Sequence, residues 1–434
     1  MLKIKIIDRN SKEMKDLDKK VPYNNIFRKV LKYVDFSFIY NEVRDLYSNI
    51  MGRPSVDPVI LFKILFIQVI EGIKSVRKTF EKIEVDCSYR WFLGIPFGEK
   101  IPNHTLFSKN YQRKFKNSNV FENIFKNIIE QAKKYNLLDG TTFYTDSTHK
   151  KADANKNKFE NKEVKVLKKR RLWVESEINI ERKKQNKKEI KFNDQYETKN
   201  IKISITDPES GYYHRDNKEK GFMYLDHRTV DEKINLIVDC YITKGNVHDS
   251  APYIERMEYL KKTFDFNIKK VALDSGYDTL DIKKYLIDNN IFGVIGYRRY
   301  GTTESRKEKS KLQYIENKDI YIDKTTGEIL EYKGSINKQG YKKYINLDKS
   351  ISTLRHIFQN LTVQFKNNRL SNEGKILYKK RKEKIERSFA DSKQNHGYRY
   401  ATYRGLEKNQ NYTWLICAAQ NIKNIVMKLS NSKY

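Results

Sequence analysis

Three acidic side chains stand where local structure alone does not ask for them, and their type suits a divalent cation. Asp146 lies late in the β-branched and aromatic run TTFYTDST at 141–148, where carboxylates are otherwise depleted. Asp274 closes the apolar strand VALD and precedes the turn Ser275-Gly276-Tyr277. Ligands of open α/β sheets gather at the carboxyl ends of strands, so two such residues on neighbouring strands can converge on one spot. Taken singly, each also suits a helix N-cap or a turn. Glu386 sits on the basic helix KKRKEKIERSFADSKQNHG, where Ile385 and Phe389, four apart, mark the buried side. Lys393 follows seven residues later, two helical turns on, and so shares the face of Glu386. A carboxylate for a metal and an ammonium for a phosphate then point the same way, although an ordinary surface Glu among lysines would look alike.

The elements that must carry these residues change period along the chain. From Phe36 to about Lys134 the hydrophobic spacing is helical. Asp57 followed by Pro58 reads as N-cap and first turn of a helix ended by Gly72, with Leu61, Leu65 and Val69 on its apolar face. Ser75 caps a second helix to Ile83 and 89–93 is a third. Asn103 caps a fourth running toward Lys116, with Lys109, Gln112 and Arg113 on its polar side. Short helices ending in a basic, polar one suit a DNA major groove, where such side chains read base edges, and equally suit a bundle with a solvated face. After Leu138 strands are expected at 141–148, 201–206, 222–230, 234–242, 269–274 and 291–297, with helices at 251–264 and 279–289. That alternation predicts an α/β sheet with crossover connections. The highly charged stretch 150–199 reads as a helical insertion or a solvated linker, and 298–372 as a polar insertion of small β character with turns at its Gly residues. Helices at 373–394 and 406–429 close the chain.

Composition limits the partners. Lys and Arg number 87 against 55 Asp and Glu, a net charge of +32 that points to a polyanion unless lysine enrichment is general. Cys87, Cys240 and Cys417 lie far apart, which argues against a disulfide framework and against a cysteine zinc ribbon. The residues from Met1 to Lys20 offer no apolar core of a secretory signal, and the run 59–70 is too short and polar to span a bilayer, so a cytoplasmic, nucleoid-associated protein is expected.

The segments TDSTHKKADANK around Asp146, VALDSGYD around Asp274 and KIERSFADSKQNHGYRYATYRGLEK around Glu386 resemble the three acidic motifs of the DDE transposases of bacterial insertion sequences. TDPESGY, GFMYLDHRTVDEK and ITKGNVHDS resemble that family's first strands, and GRPSVDPVILFKIL from Gly52 its N-terminal DNA-binding domain. In the branch it resembles, a Y-x2-R-x3-E-x6-K pattern surrounds the third acid. Glu386 and Lys393 keep its last two members, but Lys379 and Lys382 stand at the Tyr and Arg positions, with Tyr378 and Arg381 one residue away.

The resemblance implies a helical DNA-binding domain at 1–137 and a ribonuclease-H-like DDE catalytic domain at 138–434, interrupted by the two insertions. It implies that Asp146, Asp274 and Glu386 hold two divalent ions, Mg²⁺ or in its place Mn²⁺, with Lys393, Lys382, Arg381, Arg113, Lys109 and Gln112 on DNA. Mg²⁺ is a hard ion wanting carboxylate oxygens, and two ions roughly 3.5–4 Å apart stabilise both oxygens of an in-line phosphoryl displacement. Water would release a 3′-hydroxyl at the transposon end, and that hydroxyl would attack target DNA, in a homo-oligomer expected to be a dimer. The alternatives are a ribonuclease-H-like nuclease that cuts without joining, and a non-catalytic basic protein that only binds nucleic acid.

Overall fold

Capping chemistry sets the N-terminal helices. The computed structural model describes residues 1–48, 54–215, 219–297 and 311–431; Gly52, Arg53 and the opening of the expected polar insertion, 298–310, lie outside the described residues. Helices α1 (Lys12–Lys20) and α2 (Ile26–Tyr33) begin where the Ser11 and Asn25 side chains accept backbone N–H groups, ahead of the expected helical stretch. They are followed by α3 (Phe38–Val43) and α4 (Pro58–Ile70). The Asp57 carboxylate accepts from Val59 and Ile60 N–H at 2.7 and 3.1 Å, and Pro58 fills the first turn, where its missing N–H loses nothing. Every residue of α4 is buried, including Lys63 and Gln68, so it is a core helix wrapped on all sides rather than one with a single apolar face. Next come α5 (Val76–Val85), capped by Ser75, α6 (Cys87–Leu93), stopped by Gly94 at φ 68°, and α7 (Thr105–Asn110). A π-helical turn (Tyr111–Phe115) and α8 (Val120–Lys134) complete this part.

The remaining elements run β1 (Thr142–Lys151), β2 (Phe159–Leu167), α9 (Leu172–Lys184), β3 (Tyr196–Ser204), β4 (Gly211–Tyr213), β5 (Gly221–Asp231) and β6 (Ile237–Lys244). Then follow α10 (Tyr253–Phe264), β7 (Lys270–Leu273), α11 (Leu280–Asp288), β8 (Phe292–Ile295), and β9 to β13 (Leu312–Ile315, Ile320–Asp323, Ile329–Ile336, Tyr341–Ile345, Ser352–His356). The chain ends in α12 (Gln359–Leu370), α13 (Asn372–Arg381), a π-helical turn (Lys382–Glu386), α14 (Arg387–Asn395) and α15 (Leu406–Asn431). It divides into two compact units: Met1–Glu160 with Lys202–Leu273 and Ile376–Tyr434, and Asn161–Ile201 with Asp274–Lys375.

In the first unit β1 is central. It pairs antiparallel with β5 and parallel with β7, and the far edge of β5 is taken by β4 and then β6, both antiparallel. Among β1, β5 and β6 the neighbours are antiparallel, while the expected helices α10 and α11 flank β7, which pairs parallel with β1. Long-range partner choice is what alternation in the sequence does not carry. Helix α15 packs on β6, α2, α4 and α8, so the sheet and the N-terminal helices share one core. No helix among the described residues is long and apolar enough to cross a membrane.

In the second unit β2 and β3 form a two-stranded sheet and β9 to β13 a five-stranded antiparallel meander. The stretch expected to be a helical insertion therefore combines two strands with α9. In FENKEVKVL five of the nine residues, Glu160 to Glu163 and Lys165, are charged or polar on an exposed ribbon, which hides the period of two. Val174 and Ile178 of α9 are buried against Ile336 of β11. Among the described residues the polar insertion contains a helix not expected from its sequence, α12, whose Phe365 is buried. Gly327, Gly334 and Gly340 all take positive φ, 66° to 85°, at the expected turns.

Candidate functional site

Strand β1 presents alternate residues to one face, and Asp146, Thr148 and Lys150 share it. Thr145 is paired with Leu273, so Asp146 and Asp274 are the residues that follow this last paired position in each strand's direction. Asp146 Oδ1 accepts from Ser147 N–H at 2.8 Å, and Oδ2 accepts from Arg381 Nη1 at 2.8 Å. The Arg381 side chain is 5% exposed and that of Asp146 21%. Arg381, expected on DNA, thus has an intramolecular partner 235 residues away in sequence.

Arg381 reaches Asp146 because it ends α13 where the π turn begins. Such turns insert a residue into the helical ladder and recur at functional sites. This one packs against β1 and β5, anchored by the fully buried Ile385. Lys384 Nζ donates to Glu232 O at 2.6 Å and Asn235 Nδ2 to Lys384 O at 3.2 Å, while Lys380 is bound to the Glu232 carboxylate. Burial lowers the Lys384 ammonium pKa. Glu386, last residue of the turn, is exposed, as is Lys382. One helix start later, Lys393 Nζ donates to Thr148 Oγ1 at 2.5 Å.

Sequence reasoning missed what bolts α14 in place. Asp146 lies opposite Arg228 and Thr148 opposite Asp226. Arg228 is fully buried: Nη2 donates to Asp226 Oδ2 at 2.7 Å, and Nη1 to Ser388 Oγ and Ser392 Oγ at 2.9 Å each. A buried guanidinium needs such partners, and removing any one leaves desolvated charge behind. Through these bonds the helix holding Lys393, and starting right after Glu386, is fixed to β5, the strand paired with the one holding Asp146. The signal was present as Asp226-His227-Arg228 inside an otherwise apolar strand. Beyond Thr148, Lys150 is fully buried with Nζ 4.4 Å from the Tyr398 ring centre and without a hydrogen-bond partner. Burial lowers its pKa to about 7.

The carboxylate chemistry fits a hard divalent ion, but among the described residues no three His, Cys, Asp or Glu side chains are grouped to hold one. On the N-terminal part, Lys109 lies on α7 and Gln112 and Arg113 on the following π turn, all exposed.

Residues 15–113 match a family described as a transposase domain (DUF772), and residues 339–426 match a transposase DDE domain. The first span covers Lys109, Gln112 and Arg113, and the second covers Arg381, Lys382, Glu386 and Lys393. Together they support a DDE transposase of insertion-sequence type. A cryo-EM structure titled as a piggyBac transposase synaptic complex with hairpin DNA covers 98% of this chain and 77% of that chain, at 10% identity and a TM-score of 0.36. At that score the likeness says nothing about the fold. No curated protein matches.

Proposed function

We propose that the chain binds the ends of an insertion sequence, hydrolyses a phosphodiester there, and joins the released 3′-hydroxyl to target DNA at the same site. The observation that carries this is the joining of Asp146 on β1 to the helix pair bearing Arg381, Glu386 and Lys393, inside the span that matches a transposase DDE domain. The strand pattern, with β1, β5 and β6 antiparallel and β7 parallel to β1, supports a ribonuclease-H-like catalytic portion at 138–434. The helical part at 1–137 is then the DNA-binding portion. Asp146, Asp274 and Glu386 would hold two divalent ions, Mg²⁺ or Mn²⁺, which when bound stabilise the attacking and leaving oxygens. Arg381 orients the Asp146 carboxylate, and Lys393, steered by Thr148, takes the phosphate of the end being cut. Lys382, Lys109, Gln112 and Arg113 contact DNA, in a homodimer acting on DNA at the nucleoid.

A second reading has one observation in its favour: Arg381 already satisfies one Asp146 oxygen, as a purely structural carboxylate would require. On that reading the chain binds nucleic acid and performs no chemistry. Incubating the protein with duplexes carrying the element's inverted repeats, with and without Mg²⁺, separates the cases. Joined products with Mg²⁺ support transposition, cleavage without joining supports a nuclease, and metal-independent binding without cleavage supports the second reading.

A further inference from the structure

The segment HGYRYATYRG following Lys393 has no part in the function above, yet it is pinned to the end of β1. Lys151 N–H donates to Arg399 O at 3.2 Å and Ala401 N–H to Lys151 O at 2.7 Å, so Tyr400 lies beside Lys151 as an added bridge. Between this segment and β4 is a cavity of about 470 Å³ that also includes Thr148 and Lys393. Its walls are aromatic and basic. The His149 and Tyr213 rings lie 3.8 Å apart, with His149 Nε2 donating to Gly245 O at 3.0 Å, and Tyr400 is 57% exposed. Lys151 is paired with Glu219 at 2.5 Å, so the one carboxylate lining it among the described residues is already neutralised. Arg399 and Lys393 leave the cavity net positive.

We propose that this cavity receives one unpaired nucleotide of the DNA end, its base against Tyr400 and Tyr213 and its phosphate between Arg399 and Lys393. Duplex bases show only their edges, because neighbours cover their faces; aromatic side chains in a cavity of this size match a base that has left the stack. Cationic groups at the rim track the backbone while the rings accept any base, so the pocket reads unpairedness and not sequence. The inference rests on the chain being a DNA-end enzyme and adds the state of the end that it holds.

The test uses the full chain in EDTA and fluorescence anisotropy with a blunt duplex, the same duplex with a one-nucleotide overhang on either strand, and an abasic overhang. One overhang should bind tighter than blunt duplex by roughly fivefold to a hundredfold, and the abasic one should lose the gain. Tyr400→Ala and Tyr213→Ala should abolish the preference and leave blunt-duplex affinity unchanged, while Tyr400→Phe keeps it. Equal affinity for blunt and overhanging DNA in the unmodified protein, or a preference that survives both alanine variants, overturns the pocket alone. Failure to bind any of the duplexes overturns the DNA-end reading, and the pocket with it.

Discussion

Replacing Asp146 with Asn should damage two properties at once. The substitution removes a carboxylate proposed for metal and also removes the Asp146 charge bonded to Arg381, whose side chain is 5% exposed. Removing one member of a buried ion pair typically destabilises by about 3–5 kcal/mol, because the other charge stays desolvated. Asp146 is one-fifth exposed, and the Asn carbonyl can still accept one bond from Nη1, so about 2–3 kcal/mol is the expected loss. Glu386 is exposed and Glu386→Gln should change stability by no more than about 0.5 kcal/mol while also abolishing cleavage. The two variants thus look alike in a cleavage gel and differ in a urea titration. Hydrogen exchange on peptides covering β1 and α13 to α14 localises the loss, and adding Arg381→Met to Asp146→Asn should restore part of it, since the buried guanidinium charge is then removed as well. An Asp146→Asn protein as stable as Glu386→Gln would refute the role given to Arg381.

Other expectations are separable. Asp274→Asn should abolish Mg²⁺-dependent cleavage and leave DNA binding intact, whereas Lys393→Ala should weaken cleavage by loosening the scissile end with metal binding retained; calorimetric Mg²⁺ titration and a cleavage gel distinguish them. Log affinity for duplex should fall linearly with log salt, by about 0.9 per phosphate contact, and a flat response would mean that the +32 charge is spread without purpose. Lys150 has a folded pKa of about 7 against an ordinary 10.5, so below pH 7 both states carry the proton and its burial penalty is fully present. Between pH 7 and 10.5 the unfolded chain holds a proton that the folded chain lacks, and stability rises by up to about 5 kcal/mol (10.5 − 7 = 3.5, at about 1.4 kcal/mol each). Lys150→Met should flatten that rise in denaturation measured at pH 6, 8 and 10, and an unchanged slope would sink the assignment.

Local chemistry was legible and long-range pairing was not. The caps at Asp57 and Ser75 follow from a side chain and the two or three residues after it, and each appears as expected. The buried Ile385 and Phe389 follow from a helical spacing of four. By contrast, α12 (QNLTVQFKNNRL) has no side-chain cap and no clean apolar stripe, so nothing local announced it. Ribbon β2–β3 was hidden because both of its strands keep mostly polar side chains toward water. The placement of Asp146 in a strand was readable, but its bond to Arg381 spans 235 positions and depends on a π turn, which no periodicity encodes.

The closing helix α15 also has a consequence in time. It packs on β6, α2, α4 and α8, elements made up to four hundred residues earlier, and α14 supplies the bonds that hold Arg228. At roughly 5–20 residues per second, tens of seconds of synthesis separate β1 from the residues that complete its face. During that interval the emerging chain already displays Lys109, Arg113 and its basic helices, but Asp146 has neither Arg381 nor Lys393 beside it. On the proposed function, a ribosome-bound fragment that stops short of Arg381 would hold DNA without acting on it.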